Sequence, residues 1–149
     1  MAWVTEANVE AELSDSITDT SQPTSTELAG FIADIENDVK GVLYSKGVTV
    51  ASIDSGTTPI CHGNVKLWAL WGVLSRTFAA MGGVTTMQVQ KEQAYWERYK
   101  ERKAEVLADP AILGSDTPFS TAASDLGVAG LDDDDDEAHD RLFAMDDVY

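Results

Sequence analysis

An all-α fold, a small antiparallel helix bundle with an extended acidic C-terminal arm, is what this sequence predicts, and three observations predict it. Apolar side chains recur at three- and four-residue steps in successive segments of the first two-thirds of the chain. Helix start and stop signals bracket those segments. The charge is unevenly divided: residues 1–108 carry 14 acids and 9 bases, whereas residues 109–149 carry 12 acids against Arg141 alone, within a net charge of −16. With 149 residues and 44% hydrophobic content, the chain has enough apolar surface for one ordinary core. The expected organisation is therefore a helical bundle over residues 1–108 and a flexible acidic arm over residues 109–149 that ends in a docking segment.

Taken in order, Val4 to Leu13 places Val9 and Leu13 four residues apart behind Thr5, an N-cap candidate, and predicts a short helix. Ser14 to Ser25 is dominated by Ser, Thr, Asp and Pro23, which compete with the backbone for hydrogen bonds and favour a connector. Thr24-Ser25-Thr26-Glu27 fits a capping box. Leu28, Phe31, Ile32, Ile35, Val39, Val42 and Leu43 then form one apolar face, and Lys46-Gly47 supplies a cationic, left-handed stop. Val48 to Thr58 is rich in β-branched residues and reads as an extended loop able to carry at most a short strand. Pro59 opens the next helix, whose apolar residues from Val65 to Met81 cover more than one stripe and mark it as central. Gly82-Gly83 ends it. Thr85 or Thr86 caps a fourth helix, in which charges alternate with Tyr95, Trp96, Tyr99, Val106 and Leu107 until Pro110 stops it.

Beyond Pro110 the sequence turns small and polar, then runs through Asp132 to Asp136 and Glu137, and finishes with apolar side chains again. Burying Leu142, Phe143, Met145, Val148 and Tyr149 does not by itself outweigh the backbone entropy of fixing that tail, so the arm is expected to order only on a partner. There the aspartates would sit favourably at the positive end of a short helix.

Chemistry finds little purchase. Cys61 and His62 are adjacent and project about a hundred degrees apart on a helix, and no third group is spaced to orient a base. A single cysteine excludes an internal disulfide. With Cys61, His62 and His139 as the available soft ligands, no zinc spacing is met. Asp132, Asp134 and Asp136 alternate as in a calcium loop, yet Glu137 occupies the glycine position and Phe143 that of the bidentate glutamate. Gly82-Gly83 lacks the lysine of a phosphate loop. Trp68, Trp71, Tyr95, Trp96 and Tyr99 lie at helical spacing and read as core or subunit interface rather than a ligand pocket. No catalytic, cofactor or metal site is expected. A mildly acidic body without a basic cluster argues against direct neutralisation of nucleic-acid phosphates. No membrane span and no signal peptide are read, so the protein is expected to stay in the cytoplasm where it is made.

The order of parts resembles the head-tail adaptor proteins of long-tailed viruses over residues 4–113. The resemblance is carried by the acidic opening Val4 to Leu13, the amphipathic helix from Leu28 to Lys46-Gly47, the Pro59-led apolar helix, Gly82-Gly83, and the Tyr95-Trp96-Glu97-Arg98-Tyr99 helix closing at Leu107-Ala108-Asp109-Pro110. It implies a virion protein of the neck that closes into a homo-oligomeric ring, commonly dodecameric. The ring stacks between the portal protein and a stopper or tail-completion protein, and genome DNA passes through it without specific binding. In such proteins a C-terminal extension commonly reaches the portal or a neighbouring subunit, a task suited to Leu142, Phe143, Met145, Val148 and Tyr149. The five-aspartate run departs from the family pattern and fits a high-salt host. Two rival classes are an acidic assembly chaperone and a DNA-mimic inhibitor. If the arm is a docking device, Leu142→Asp combined with Phe143→Asp abolishes partner capture in a pull-down while leaving the bundle's thermal transition almost unchanged; a large drop in melting temperature would assign the arm to the core.

Overall fold

A computed structural model describes residues 2–82 and 85–120 and bears out the all-α bundle. The helices are α1 (Glu6–Leu13), α2 (Ser25–Ser45), α3 (Val50–Asp54), α4 (Pro59–Ala80) and α5 (Thr86–Ala108), followed by a 3-10 turn, Pro110–Leu113. α4 packs against each of these elements, and its longest interface is with α5. The two run antiparallel: Phe78 stacks on Tyr95 near one end, Arg102 covers Trp71 midway, and Asn64 donates to the Leu113 carbonyl at the other.

The termini of α2 and α5 form as their sequences direct. Glu27 N–H donates to Thr24 Oγ1 at 3.3 Å while Thr24 N–H donates to Glu27 Oε2 at 2.8 Å, so each satisfies a free amide of the other. The backbone and side-chain hydrogen bonds from Thr24 hold the Glu27 carboxyl below its usual pKa. Thr85 and Gln88 repeat the exchange at α5. Gly47, with φ +69, makes the left-handed turn after α2. On the inward face of α2, Leu28, Ile35, Val39, Val42 and Leu43 are buried, and Phe31 and Ile32 pack against that core half-buried.

Two expectations change. Residues 48–58 are not an extended loop: Val50 to Asp54 is helical, and Val50 and Ile53, three residues apart, are both buried. Burial of that pair overrides the weak strand preference of β-branched residues. Strand-like pairing in this segment is at Val48, which meets Phe119 in an isolated antiparallel bridge, with Thr49 N–H donating to the Pro118 carbonyl at 2.7 Å. Nor does the chain leave the bundle at Ala108. The compact unit extends to Phe119, with Leu113 fully buried. Residues 121–149, which hold the expected arm and its docking residues, lie outside the described residues.

The N-terminal residues are pinned by a buried carboxylate. Glu36 Oε1 accepts the backbone N–H of Trp3 at 2.6 Å and of Val4 at 2.9 Å, Lys40 lies over the Trp3 ring, and the indole N–H donates to Asp54. This joins α2, α3 and the chain start at one place.

At the centre, α4 passes close beneath α2 and α5 because residue 72 has no side chain. A Cβ there would lie 2.9 Å from both Ile35 Cγ2 and Tyr99 Cδ2. Gly72→Ala must push a buried isoleucine and a buried aromatic ring outward, so it is expected to destabilise the bundle by about 1–3 kcal/mol. Urea unfolding checks this as a lowered midpoint with an unchanged slope.

Candidate functional site

The adjacent Cys61 and His62 occupy the first turn of α4, and the structure separates them. Cys61 is buried in the core. Burial pushes its thiol pKa up, the nearby Asp116 charge adds to that, and a hydrogen bond with Thr117 opposes it, which disfavours the thiolate that nucleophilic chemistry requires. His62 turns the other way, with Nδ1 2.9 Å from the Ile53 carbonyl at the end of α3. The free amides at this end of α4 are satisfied from far along the chain: Asp116 accepts Ile60 N–H through one oxygen and Cys61 N–H through the other, each at 2.8 Å. Asp116 is a structural cap that the sequence gives no means of pairing with Pro59, because no local spacing connects residues so far apart.

The aromatic residues do not enclose a pocket. Trp68 is fully buried, its indole N–H donating to the Tyr99 carbonyl at 3.2 Å. Tyr99 lies between Trp68 and Trp96, with ring centroids 5.9 Å and 5.4 Å away. Trp71 and Tyr95 are half-buried beneath Arg102 and Arg98, and Trp96 reaches the surface. Shallow grooves flank α5. One of about 220 Å³ is lined by Ser75, Arg76, Ala79, Glu92 and Trp96, and one of about 440 Å³ by Glu97, Lys100, Glu101 and Ala104. Both are open to solvent and bordered by charged side chains, unlike the concave, mostly apolar sites that bind small molecules. Among the described residues no three His, Cys, Asp or Glu side chains converge as a metal site would need, and no helix is long and apolar enough to cross a membrane.

A further polar constellation joins α2 to α5. Asp38 accepts a hydrogen bond from the Tyr99 hydroxyl, and both its oxygens lie 2.8 Å from Lys103 Nζ. Beside it Arg76 of α4 pairs with Asp34 at 2.8 Å. Burial and the hydrogen bond to Asp38 together push the Tyr99 phenol far above its usual pKa, so it stays a donor at any ordinary pH. Partial burial alone would raise the Asp38 carboxyl, but the Lys103 and Tyr99 hydrogen bonds and the Lys103 charge together hold it below its ordinary value. The constellation binds helices together; nothing in it is aimed at an open cavity.

The candidate site is therefore a surface. Large apolar side chains stand exposed at Tyr44, Ile60, Leu67, Met87, Val89, Trp96, Leu107 and Phe119. Sequence periodicity found the buried faces and left Trp96 open between core and subunit interface; the structure places Trp96 and Leu107 at the surface. The expected partner-binding residues Leu142, Phe143, Met145, Val148 and Tyr149, and the run Asp132 to Glu137, lie outside the described residues. No family model, curated protein or solved structure matches the chain.

The pH behaviour of the helix clamp follows from its geometry. A carboxyl whose pKa falls on folding contributes stability that is complete above its unfolded value and is lost as pH falls through the folded one. For Asp38 the unfolded value is near 3.8. The stability margin of the native protein over Asp38→Asn is expected to be constant at neutral pH and to shrink as pH drops below that value, checked by denaturant titrations in parallel across the acid range. A margin independent of pH would remove Asp38 from the clamp.

Proposed function

We propose that the chain is a virion structural protein of the neck: a head-tail adaptor whose copies close into a ring, join the portal to a stopper or tail-completion protein, and let genome DNA pass. The observation that carries this reading is the sequential order of parts, from the short acidic opening helix to the aromatic and charged last helix, together with exposed apolar residues on a bundle that offers shallow grooves instead of a pocket. A protein of this kind works by shape and contact. It needs no catalytic group, cofactor or metal, and it needs a surface that does not hold DNA as it slides through. An excess of carboxylates over Lys and Arg suits that passage, since bound phosphates would otherwise be neutralised and retained. The terminal residues Leu142, Phe143, Met145, Val148 and Tyr149 are proposed to contact the portal or a neighbouring subunit.

A second reading, an acidic chaperone or DNA mimic, draws on one observation: the nine carboxylates of residues 2–39 stand without a single Lys or Arg among them. Such a protein would act as a monomer or small oligomer on a basic client.

Light scattering on the full-length protein, alone and mixed with portal rings, separates the two. The adaptor reading expects ring-sized assemblies, or subunits that join stoichiometrically once portal is present. A persistent monomer that ignores portals and binds a basic protein instead would replace it with the second reading.

A further inference from the structure

α5 carries a second seam besides the one it buries. Tyr95, Tyr99, Arg102 and Val106 face the bundle. On the adjoining flank Val89, Gln93, Trp96, Lys100, Lys103 and Leu107 follow one another at alternating four- and three-residue steps, the spacing that lines side chains along one stripe of a helix and receives another helix. Its three large apolar members are 36%, 39% and 40% exposed at Val89, Trp96 and Leu107. The stripe contains two lysines and no carboxylate, although α5 also holds four glutamates. Lys103 is engaged by Asp38, whereas Lys100 makes no ion pair among the described residues.

The complementary surface is on the same molecule. From Ala2 to Val39 the chain has nine carboxylates and no base. Within the acidic stretch α1 turns Val9 inward and leaves Ala7, Ala11 and Glu12 exposed. Small residues on that outward face permit close helix approach, and Glu12 makes no hydrogen bond or ion pair among the described residues. With a rise of about 1.5 Å per residue, α1 is about 12 Å long and matches the roughly 10 Å from Trp96 to Lys103. α1 packs on α2 and α4 of its own subunit, so the two surfaces are different patches of one chain.

We propose that the outward stripe of α5 is a subunit contact that receives α1 from a second copy of this chain, with Trp96 against the alanine face and Lys100 opposite Glu12. In this arrangement the α5 stripe of each copy holds α1 of the next, so the contact is head-to-tail and repeats from copy to copy, as a ring requires. This inference rests on the ring-forming reading and names the surface that builds the ring.

The test uses full-length Lys100→Glu and Glu12→Lys, both at exposed positions, with sedimentation velocity measured alone and on portal rings and circular dichroism to verify folding. Each variant alone sets like charges against each other at every contact, so the protein concentration needed for assembly is expected to rise by about tenfold or more. An equimolar mixture is expected to recover wild-type assembly. When the two variants alternate around the ring, the lysine introduced in one faces the glutamate introduced in the other, and at the next contact the native Glu12 faces the native Lys100. Single variants that assemble like the wild type, or a mixture no better than either alone, would overturn this contact while leaving the adaptor reading in place. A wild-type protein that assembles neither alone nor on a portal would overturn both.

Discussion

The bundle depends on the close approach of three helices at residue 72. With glycine there, the Tyr99 ring and the Ile35 side chain both reach the α4 backbone, and any β-carbon would collide with each at 2.9 Å. Everything nearby follows from that proximity. Trp68, one turn before Gly72, can lie flat enough to approach Tyr99 and donate to its carbonyl. Tyr99, held in place from below, extends its hydroxyl across α5 to Asp38 on α2, and Lys103 one turn later reaches the same carboxylate. The polar clamp between α2 and α5 is thus a consequence of core packing. Its hydrogen bonds are worth having because the aromatic ring that carries the donor is already immobilised, so little further side-chain entropy is lost.

The periphery is closed by carboxylates acting over long sequence distances. Glu36 holds the chain start through two backbone amides, and Asp116 holds the start of α4 through two more. In both cases the acid replaces partners that the backbone lacks locally, and charge-assisted bonds to amides are stronger than neutral ones. Both also explain why the folded unit is longer than the helical pattern. Residues 109–119 contribute no long helix, yet they deliver Leu113 to the core, Asp116 to α4 and Phe119 to the bridge with Val48.

The sequence exposed these layers unequally. Apolar periodicity and capping chemistry are local, so Thr24 with Glu27, Thr85, Pro59 and Gly47 announce their helices within a few residues, and α4 as the central element is legible from its breadth of apolar positions. α3 was not legible, because Val50 and Ile53 become helical through burial against α4 and not through propensity. Asp116 and the true extent of the folded unit were equally hidden, since a cap supplied from the far end of the chain leaves no spacing to read. For the candidate surface, helical spacing identifies that Trp96 and Leu107 share a stripe with Lys100. Only the position of α4 and α2 around α5 decides that this stripe faces outward.

That outward stripe matters because of the charge the protein carries. A chain with a net charge of −16 repels its own copies, and a contact that set acidic segments against one another would add to that repulsion. Association therefore favours a contact between unlike patches, one depleted of acids and one rich in them. The two proposed patches differ in this way: residues 2–39 hold nine carboxylates and no base, and the outward stripe of α5 holds Lys100 and Lys103 and no carboxylate. A two-fold dimer that paired the two patches would bury both in one closed interface and stop there. A head-to-tail contact pairs them at every repeat, and repetition of one rotation until it closes gives a ring. In the proposed ring the acidic segment of one copy would meet the carboxylate-free stripe of the next, so that an acidic chain would set unlike patches together at every repeat.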